Sequence, residues 1–306
     1  MVGMSNCLVI ENLSKTYQKT GVEGNRQISC EFESGLVHAL LGHNGAGKTT
    51  LLNQIIGLLK PDQGKIIFEE LELIENPQTA RELISMMPQL HSPIRGMTTR
   101  QAIRSIGKIR GMSGTDLEQA VDALLTILDI EEWQHRKVEK LSGGLLRLVS
   151  FAMAVIAPPP VLLLDEPTND VDPVRRKLLW EYLQKLASAG HIVVIVTHNL
   201  LEVQGYADRY YFFHKGSLLR SGNVIDLKAE RQLRVEGRAV ENIEFPLSVE
   251  KREDGLFTMQ VPEEKVASFL QWLGKEVESE HIVEYKMSWL DLNEIYGGWI
   301  NAAETT

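Results

Sequence analysis

Gly42-His43-Asn44-Gly45-Ala46-Gly47-Lys48-Thr49 is the stretch on which the reading of this chain turns. It follows the apolar run Val37 to Leu41, which reads as a buried strand. It precedes Thr50 to Ile56, which reads as a helix. Strand, glycine-rich loop and helix form the context that a phosphate-binding loop requires. Glycines let the backbone N–H groups turn inward around an anion, at dihedrals that side chains block. Lys48 is expected against the β- and γ-phosphates of a nucleotide, and the Thr49 hydroxyl beside Mg²⁺. The helix start adds about half a positive charge. A chance match in a glycine-bearing turn would lack the flanking strand and helix.

Composition narrows the setting. The 306 residues suffice for one large domain and a small one, and the 43% apolar content is that of an ordinary globular protein. No apolar run approaches the roughly 20 residues that span a bilayer. Met1 to Asn12 lacks the basic and apolar regions of a signal peptide. Cys7 and Cys30 have neither metal-ligand spacing nor a disulfide framework, so a reduced, cytoplasm-facing setting is expected. A net charge of −9 argues against nucleic acid as a partner. The charge is uneven: 16 acidic and 8 basic residues lie from residue 229 onward, against 25 and 24 before it. That asymmetry predicts a boundary near 222–235, with domains at 1–228 and 229–306.

Outward from the loop, Leu8 to Tyr17 and Arg26 to Phe32 read as antiparallel strands broken by a loop at Gly21 and Gly24. Tyr17 is either a platform for adenine or an ordinary strand-end tyrosine. Lys65 to Phe68 and Leu83 to Met87 read as strands, the latter leading to Gln89. Residues 99 to 156 look helical. There Arg100, Arg104 and Lys108 form a basic row, either a partner contact or a solvated face. Leu141-Ser142-Gly143-Gly144 opens a helix that the prolines at 158–160 stop.

Val161 to Leu164, then Asp165 and Glu166, read as a central strand delivering two carboxylates to its C-terminal end, where open α/β sheets bind ligands. Asp165 is expected at Mg²⁺ and Glu166 at the attacking water; alone, such a pair is more often the start of a solvated loop. Asp172-Pro173 carries the cap and first-turn proline of a helix to about Ala189. Ile192 to Thr197 is another strand, ending at His198, from which the γ-phosphate could be reached. Tyr210 to Ser221 reads as a hairpin.

Together these stretches resemble the ATP-binding cassette (ABC) family over about residues 5 to 225. Tyr17 falls at the adenine-stacking position and Gly42 to Thr49 at the Walker A loop, with Thr50 beside it. Gln89 matches the coupling-loop glutamine, a Mg²⁺ and catalytic position. Ser142, Gly143 and Gly144 match the signature motif, Val161 to Asp165 the Walker B strand, and Glu166 the catalytic carboxylate. Asn169 to Asp172 occupies the D-loop, where Asp172 implies a nucleotide contact, and His198 is the switch histidine. Three places depart from the pattern: His43 stands where proline is frequent, Leu145 where glutamine is frequent (with Arg147 two residues on), and the D-loop lacks its small residue.

The resemblance implies a P-loop NTPase α/β core with an antiparallel β subdomain and a helical signature subdomain at about 90–157. It also implies ATP and Mg²⁺ as ligands and a head-to-tail pair of cassettes, each ATP held between the loop of one and the signature of the other. A separately encoded membrane-spanning subunit is implied as partner, reached through about Leu90 to Gly111, with no direct contact to the transported molecule. DNA-maintenance cassettes need long coiled-coil insertions, and no sustained heptads separate Lys48 from the signature. Ribosome-associated cassettes carry two cassettes and basic linkers, whereas this chain shows one cassette and an acidic tail.

The tail reads as a small α/β module: a hairpin of Ile243 to Val249 and Leu256 to Val261 around Asp254-Gly255, a helix from Glu263 to Glu278, a strand from Ile282 to Lys286, and a helix from Leu290 to Ile300. Ser288 to Tyr296 is similar to the C-terminal end of ATPase subunits of drug- and peptide-resistance exporters.

Overall fold

The computed structural model describes residues 6–89, 96–229, 232–240, 243–251, 255–290 and 297–298. It divides into two compact units, 1–222 and 223–306.

In the first unit, β1 (Cys7–Tyr17) and β2 (Val22–Glu33) pair antiparallel. Gly24 lies inside β2, not in a loop, with the ring of Tyr17 and the side chain of Thr50 beside its Cα. β3 (Val37–Leu41) is buried at every position and leads into α1 (Lys48–Ile55). β4 (Gln63–Phe68) and β5 (Leu71–Glu72) complete an antiparallel sheet of order β2-β1-β4-β5. α2 (Pro77–Leu83) precedes β6 (Ile84–Met87).

The helical insertion holds α3 (Thr99–Ile109), α4 (Gly114–Ile127) and α5 (Gly143–Val155). Thr98 and Gln101 close a capping box at the start of α3. Two members of the basic row on α3, Arg100 and Arg104, form ion pairs with α4. Arg100 meets Glu118 at 3.0 Å and Asp122 at 2.5 Å, and Arg104 also reaches Glu118.

β7 (Val161–Asp165), α6 (Pro173–Ser188), β8 (Ile192–Val196), α7 (Leu200–Tyr206), β9 (Arg209–His214) and β10 (Ser217–Asn223) follow. The second sheet runs β10-β9-β3-β8-β7-β6, and its β9-β3-β8-β7-β6 pairings are parallel. β3, β7 and β8 are buried at every position without alternation, as a sheet covered on both faces demands. One core joins the two sheets: Leu8, Phe32 and Ile66 of the first, Leu163 and Val194 of the second, and Leu51 and Ile55 of α1. The helix that carries the loop is thereby fixed to both layers.

The second unit begins with α8 (Val224–Ala229). β11 (Gln232–Ala239), β12 (Val249–Lys251), β13 (Leu256–Pro262) and β14 (Ile282–Trp289) form an antiparallel sheet of order β12-β13-β11-β14. The expected hairpin is present, but its first strand is only Val249–Lys251, and Asp254 lies outside the described residues. The helix expected over Glu263 to Glu278 is a 3-10 turn followed by α9 (Val266–Glu278), whose Phe269 and Leu273 pack on Leu233, Val235, Phe257 and Met259. Of the helix expected from Leu290 to Ile300, only Leu290, Gly297 and Gly298 are described; 90–95 of the expected coupling segment also lie outside. Among the described residues no helix is long and apolar enough to cross a membrane.

Candidate functional site

The loop between β3 and α1 closes because its glycines permit it. Gly47, at φ +101°, caps α1, and a Cβ there would lie 2.2 Å from the Gly24 carbonyl oxygen. The buried Asn25 donates from Nδ2 to the Gly47 carbonyl at 3.1 Å, and Gln54 Nε2 donates to Asn25 Oδ1 at 2.5 Å. This brace carries no local sequence signal, because its members lie on β2 and α1. Lys48 curls back into the loop, its Nζ donating to the carbonyls of Gly42 at 2.6 Å and His43 at 3.0 Å. Burial lowers its pKa, and the negative charges of Glu166 and Asp165 oppose that shift.

Thr49 Oγ1 donates to Asp165 Oδ2 at 2.8 Å, joining the loop to the end of β7. Burial raises the Asp165 pKa, and the hydrogen bond from Thr49 works against it. The next residue, Glu166, turns the chain out of the strand at φ +53°, a left-handed backbone that costs a non-glycine residue about 1–2 kcal/mol. Its N–H donates to the Val196 carbonyl at 2.9 Å, which holds the turn against β8. The buried Glu166 carboxylate meets His198 Nδ1 at 3.0 and 3.1 Å, while the histidine side chain is 67% exposed.

A cleft of about 460 Å³ opens over these groups, lined by Tyr17, Gly24, Asn44, Gly45, Ala46, Gly47, Lys48, Thr49, Thr50, Gln89, Asp165 and Glu166, with Val22 and Val196 at its margin. Tyr17 OH lies 3.1 Å from Thr50 Oγ1, and its ring is 38% exposed, on the hollow bounded by Lys15, Gln18, Lys19 and Val22. Gly42 and His43 touch the site through Lys48, and His198 through Glu166.

Ser142, Gly143, Gly144 and Asp172 do not line the cleft. Ser142 caps α5 by accepting from the Leu145 N–H, and Gly144 abuts the D-loop, where a Cβ would lie 2.3 Å from the Asp170 oxygen. Asp172 caps α6, accepting from the N–H groups of Val174 and Arg175 at 3.1 Å. The helix predicted from Asp172-Pro173 is therefore present, and the same carboxylate is engaged as its cap.

Two features were not legible. Arg147 is buried and donates from Nη1 to the Gln89 carbonyl at 3.1 Å, linking α5 to the cleft wall. Glu202, on α7, lies behind the carboxylates. One of its oxygens accepts from Thr168 at 2.8 Å and Trp180 Nε1 at 2.9 Å, the other from Asn199 at 2.8 Å and Arg176 at 3.1 Å. Thr168 and Asn199 closely follow Glu166 and His198, so this buried network fixes both chain segments. Its only sequence signal is Asn199, three residues before Glu202, as the cap of α7.

A cleft of about 460 Å³ at a helix start, a lysine and a threonine in its lining, and two carboxylates at the end of an interior parallel strand define a phosphate-loop nucleotide-binding protein. Comparison with known proteins narrows the class. The family described as "ABC transporter" matches residues 25–169. The chain is 35% identical over 225 residues to the cholesterol transporter ABCA5 of Homo sapiens, covering 72% of this chain and 14% of that protein. It is 34% identical over 214 residues to the Nod factor export ATP-binding protein I of Sinorhizobium fredii, covering 70% of this chain and 62% of that one. The chain thus spans less than two thirds of these relatives' lengths. A solved ATP-binding subunit of an ABC transporter superposes with a TM-score of 0.67 at 26% identity, covering 72% of this chain and 91% of that chain. A dimeric bacterial ABC transporter cassette superposes with a TM-score of 0.66 at 23% identity, covering 71% and 98%, a likeness of fold. The first unit is thus a nucleotide-binding cassette of ABC transporter type.

Proposed function

We propose that this chain hydrolyses ATP as the cassette subunit of an ABC exporter, at the cytoplasmic face of a membrane, pairing head to tail with a second cassette and driving membrane-spanning subunits encoded separately. The observation that carries the reading is the meeting of loop and strand end: Thr49 on Asp165, with Glu166 held by His198 over the same cleft. The export direction and the separate membrane subunit are supported by the Nod factor export ATP-binding protein among the relatives.

Each residue has a chemical task in this reading. The loop N–H groups and the start of α1 receive the phosphates, and Lys48 exchanges its two carbonyl acceptors for phosphate oxygens. Tyr17 offers an exposed ring face to the base. The oxygen donors of Thr49, Asp165 and Gln89 suit Mg²⁺, a hard cation, better than any softer metal. Bound there, the ion would neutralise charge on the β- and γ-phosphates. Glu166 accepts the proton of the attacking water, and His198, now against Glu166, turns toward the γ-phosphate when ATP is present. Ser142, Gly143, Gly144 and the start of α5 lie away from this cleft, which suits them to the nucleotide of a second cassette.

The test is phosphate release by the purified chain from ATP, with and without Mg²⁺. Turnover that requires Mg²⁺ and vanishes on chelation supports the proposal; absence of ATP binding at millimolar nucleotide overturns it.

A further inference from the structure

The sheet of the second unit has one long edge without a partner strand among the described residues. β14 stands last in the order β12-β13-β11-β14, while β12 at the other end spans only Val249–Lys251. After the buried Ile282, every residue of β14 is exposed. Four of them are large and apolar at a period of two: Val283, Tyr285, Met287 and Trp289, each 40–55% exposed. In the register with β11, Tyr285 opposes Gly237, Met287 opposes Val235 and Trp289 opposes Leu233. Directly opposed residues share a face. The row therefore continues the apolar face whose Leu233 and Val235 lie in the core with Phe269 and Leu273 of α9. A long edge of this kind is a template for another strand.

We propose that β14 pairs antiparallel with β14 of a second copy of this chain, about a two-fold axis through Tyr285, so that the two sheets become one. The charges select this partner and this register. The other face of the strand carries Glu284 and Lys286, already opposed to Arg238 and Glu236 of β11. An axis through Tyr285 sets Glu284 of each copy against Lys286 of the other. On the apolar face it sets Tyr285 against Tyr285 and Val283 against Met287. An axis through Glu284 or Lys286 would instead bring like charges face to face, which is unfavourable. The contact is self-complementary, as a two-fold interface requires. Because 16 acids and 8 bases lie from residue 229 onward, the two modules repel at a distance, and the association tightens as salt screens that repulsion.

Nothing in this pairing depends on nucleotide, so it is tested on the full chain without ATP, by sedimentation equilibrium at about 0.15 M salt. The wild type is expected to be a reversible dimer, and Tyr285→Phe to match it. Tyr285→Arg, at an exposed position paired with Gly237 of β11, should weaken the association at least tenfold while its melting curve stays that of a folded protein. Register is read by oxidative cross-linking. Tyr285→Cys should bridge to itself, Glu284→Cys should not, and Glu284→Cys mixed with Lys286→Cys should; the wild type, with Cys7 and Cys30 alone, is the control. Equal association of wild type and Tyr285→Arg overturns the proposal, as does self-bridging of Glu284→Cys as readily as Tyr285→Cys. A monomeric wild type in which the Tyr285→Cys thiol resists alkylation would mean that the chain itself covers the edge, and overturns it equally.

Discussion

Replacing Lys48 by Ala probes the phosphate loop at its most charged point. The ammonium is sunk in the loop, where it donates to the Gly42 and His43 carbonyls at 2.6 and 3.0 Å. Nucleotide phosphates would take over as acceptors. A hydrogen bond to a charged group contributes about 1.5–3 kcal/mol, so two of them set a ceiling of about 3–6 kcal/mol. The loop N–H groups and the start of α1 survive the substitution, and the wild-type lysine gives up two carbonyls on binding. Both effects push the loss to the low end, about 3 kcal/mol, or roughly 100- to 200-fold in Kd. Isothermal titration of ATP in Mg²⁺ into both proteins measures it. Stability moves separately, because two carbonyls lose a buried donor at about 1–3 kcal/mol, and each kcal/mol lowers Tm by about 2–4 °C in a domain of this size. A folded variant whose Kd stays within threefold of wild type would show that the Lys48 ammonium does not hold the phosphates.

Glu202→Gln should destabilise the first unit by about 3 kcal/mol, read from urea midpoints, because it removes the charge paired with Arg176 and sets an amide N–H against existing donors. It should also slow ATP turnover through Thr168 and Asn199. His38 is buried between Tyr211 and the Glu33 carbonyl, and burial foremost pushes its pKa down to about 4 from 6.5. The unfolded chain therefore takes up this proton first, and stability should fall by about 3 kcal/mol as pH drops from 6.5 to 4, with no contribution above that window. His38→Gln should flatten that part of the stability profile, and an unchanged slope would exclude His38 as its source. A chain ending at Gly222 should fold and bind ATP with Mg²⁺, since the loop, β7 and the cleft lining all precede that residue. Titration of the shortened chain checks this, and a folded product without nucleotide affinity would contradict the division.

What the sequence disclosed was whatever is written in consecutive residues. Val37 to Leu41 before three glycines and a lysine reads as a buried strand entering a phosphate loop. Asp172 before Pro173 announces a helix start, and four apolar residues before Asp165 and Glu166 announce a strand end. What stayed hidden depends on partners far apart in the chain. Arg100 and Arg104 looked like a free basic row, because nothing in α3 reveals that α4 returns alongside it with Glu118 and Asp122. Gly24 suggested a loop, yet it stands within β2, tight against Tyr17 and Thr50. The alternation Leu233, Val235, Gly237 that forms β11 is faint in the sequence, its pattern weakened by a glycine in an inward position. Glu202 offered only a cap signal, while four side chains from three segments complete its meaning.

The proposed role of Glu166, to accept the proton of the attacking water, is tested by phosphate release from Glu166→Gln at saturating ATP and Mg²⁺, with ATP affinity titrated on the same preparation. The amide keeps the shape of the side chain and the contact with His198 but not the basicity. General-base catalysis contributes about 100- to 10,000-fold, so turnover should fall by at least that lower factor while ATP affinity holds within a few fold. Wild-type turnover in a variant that binds ATP normally would exclude Glu166 from that role.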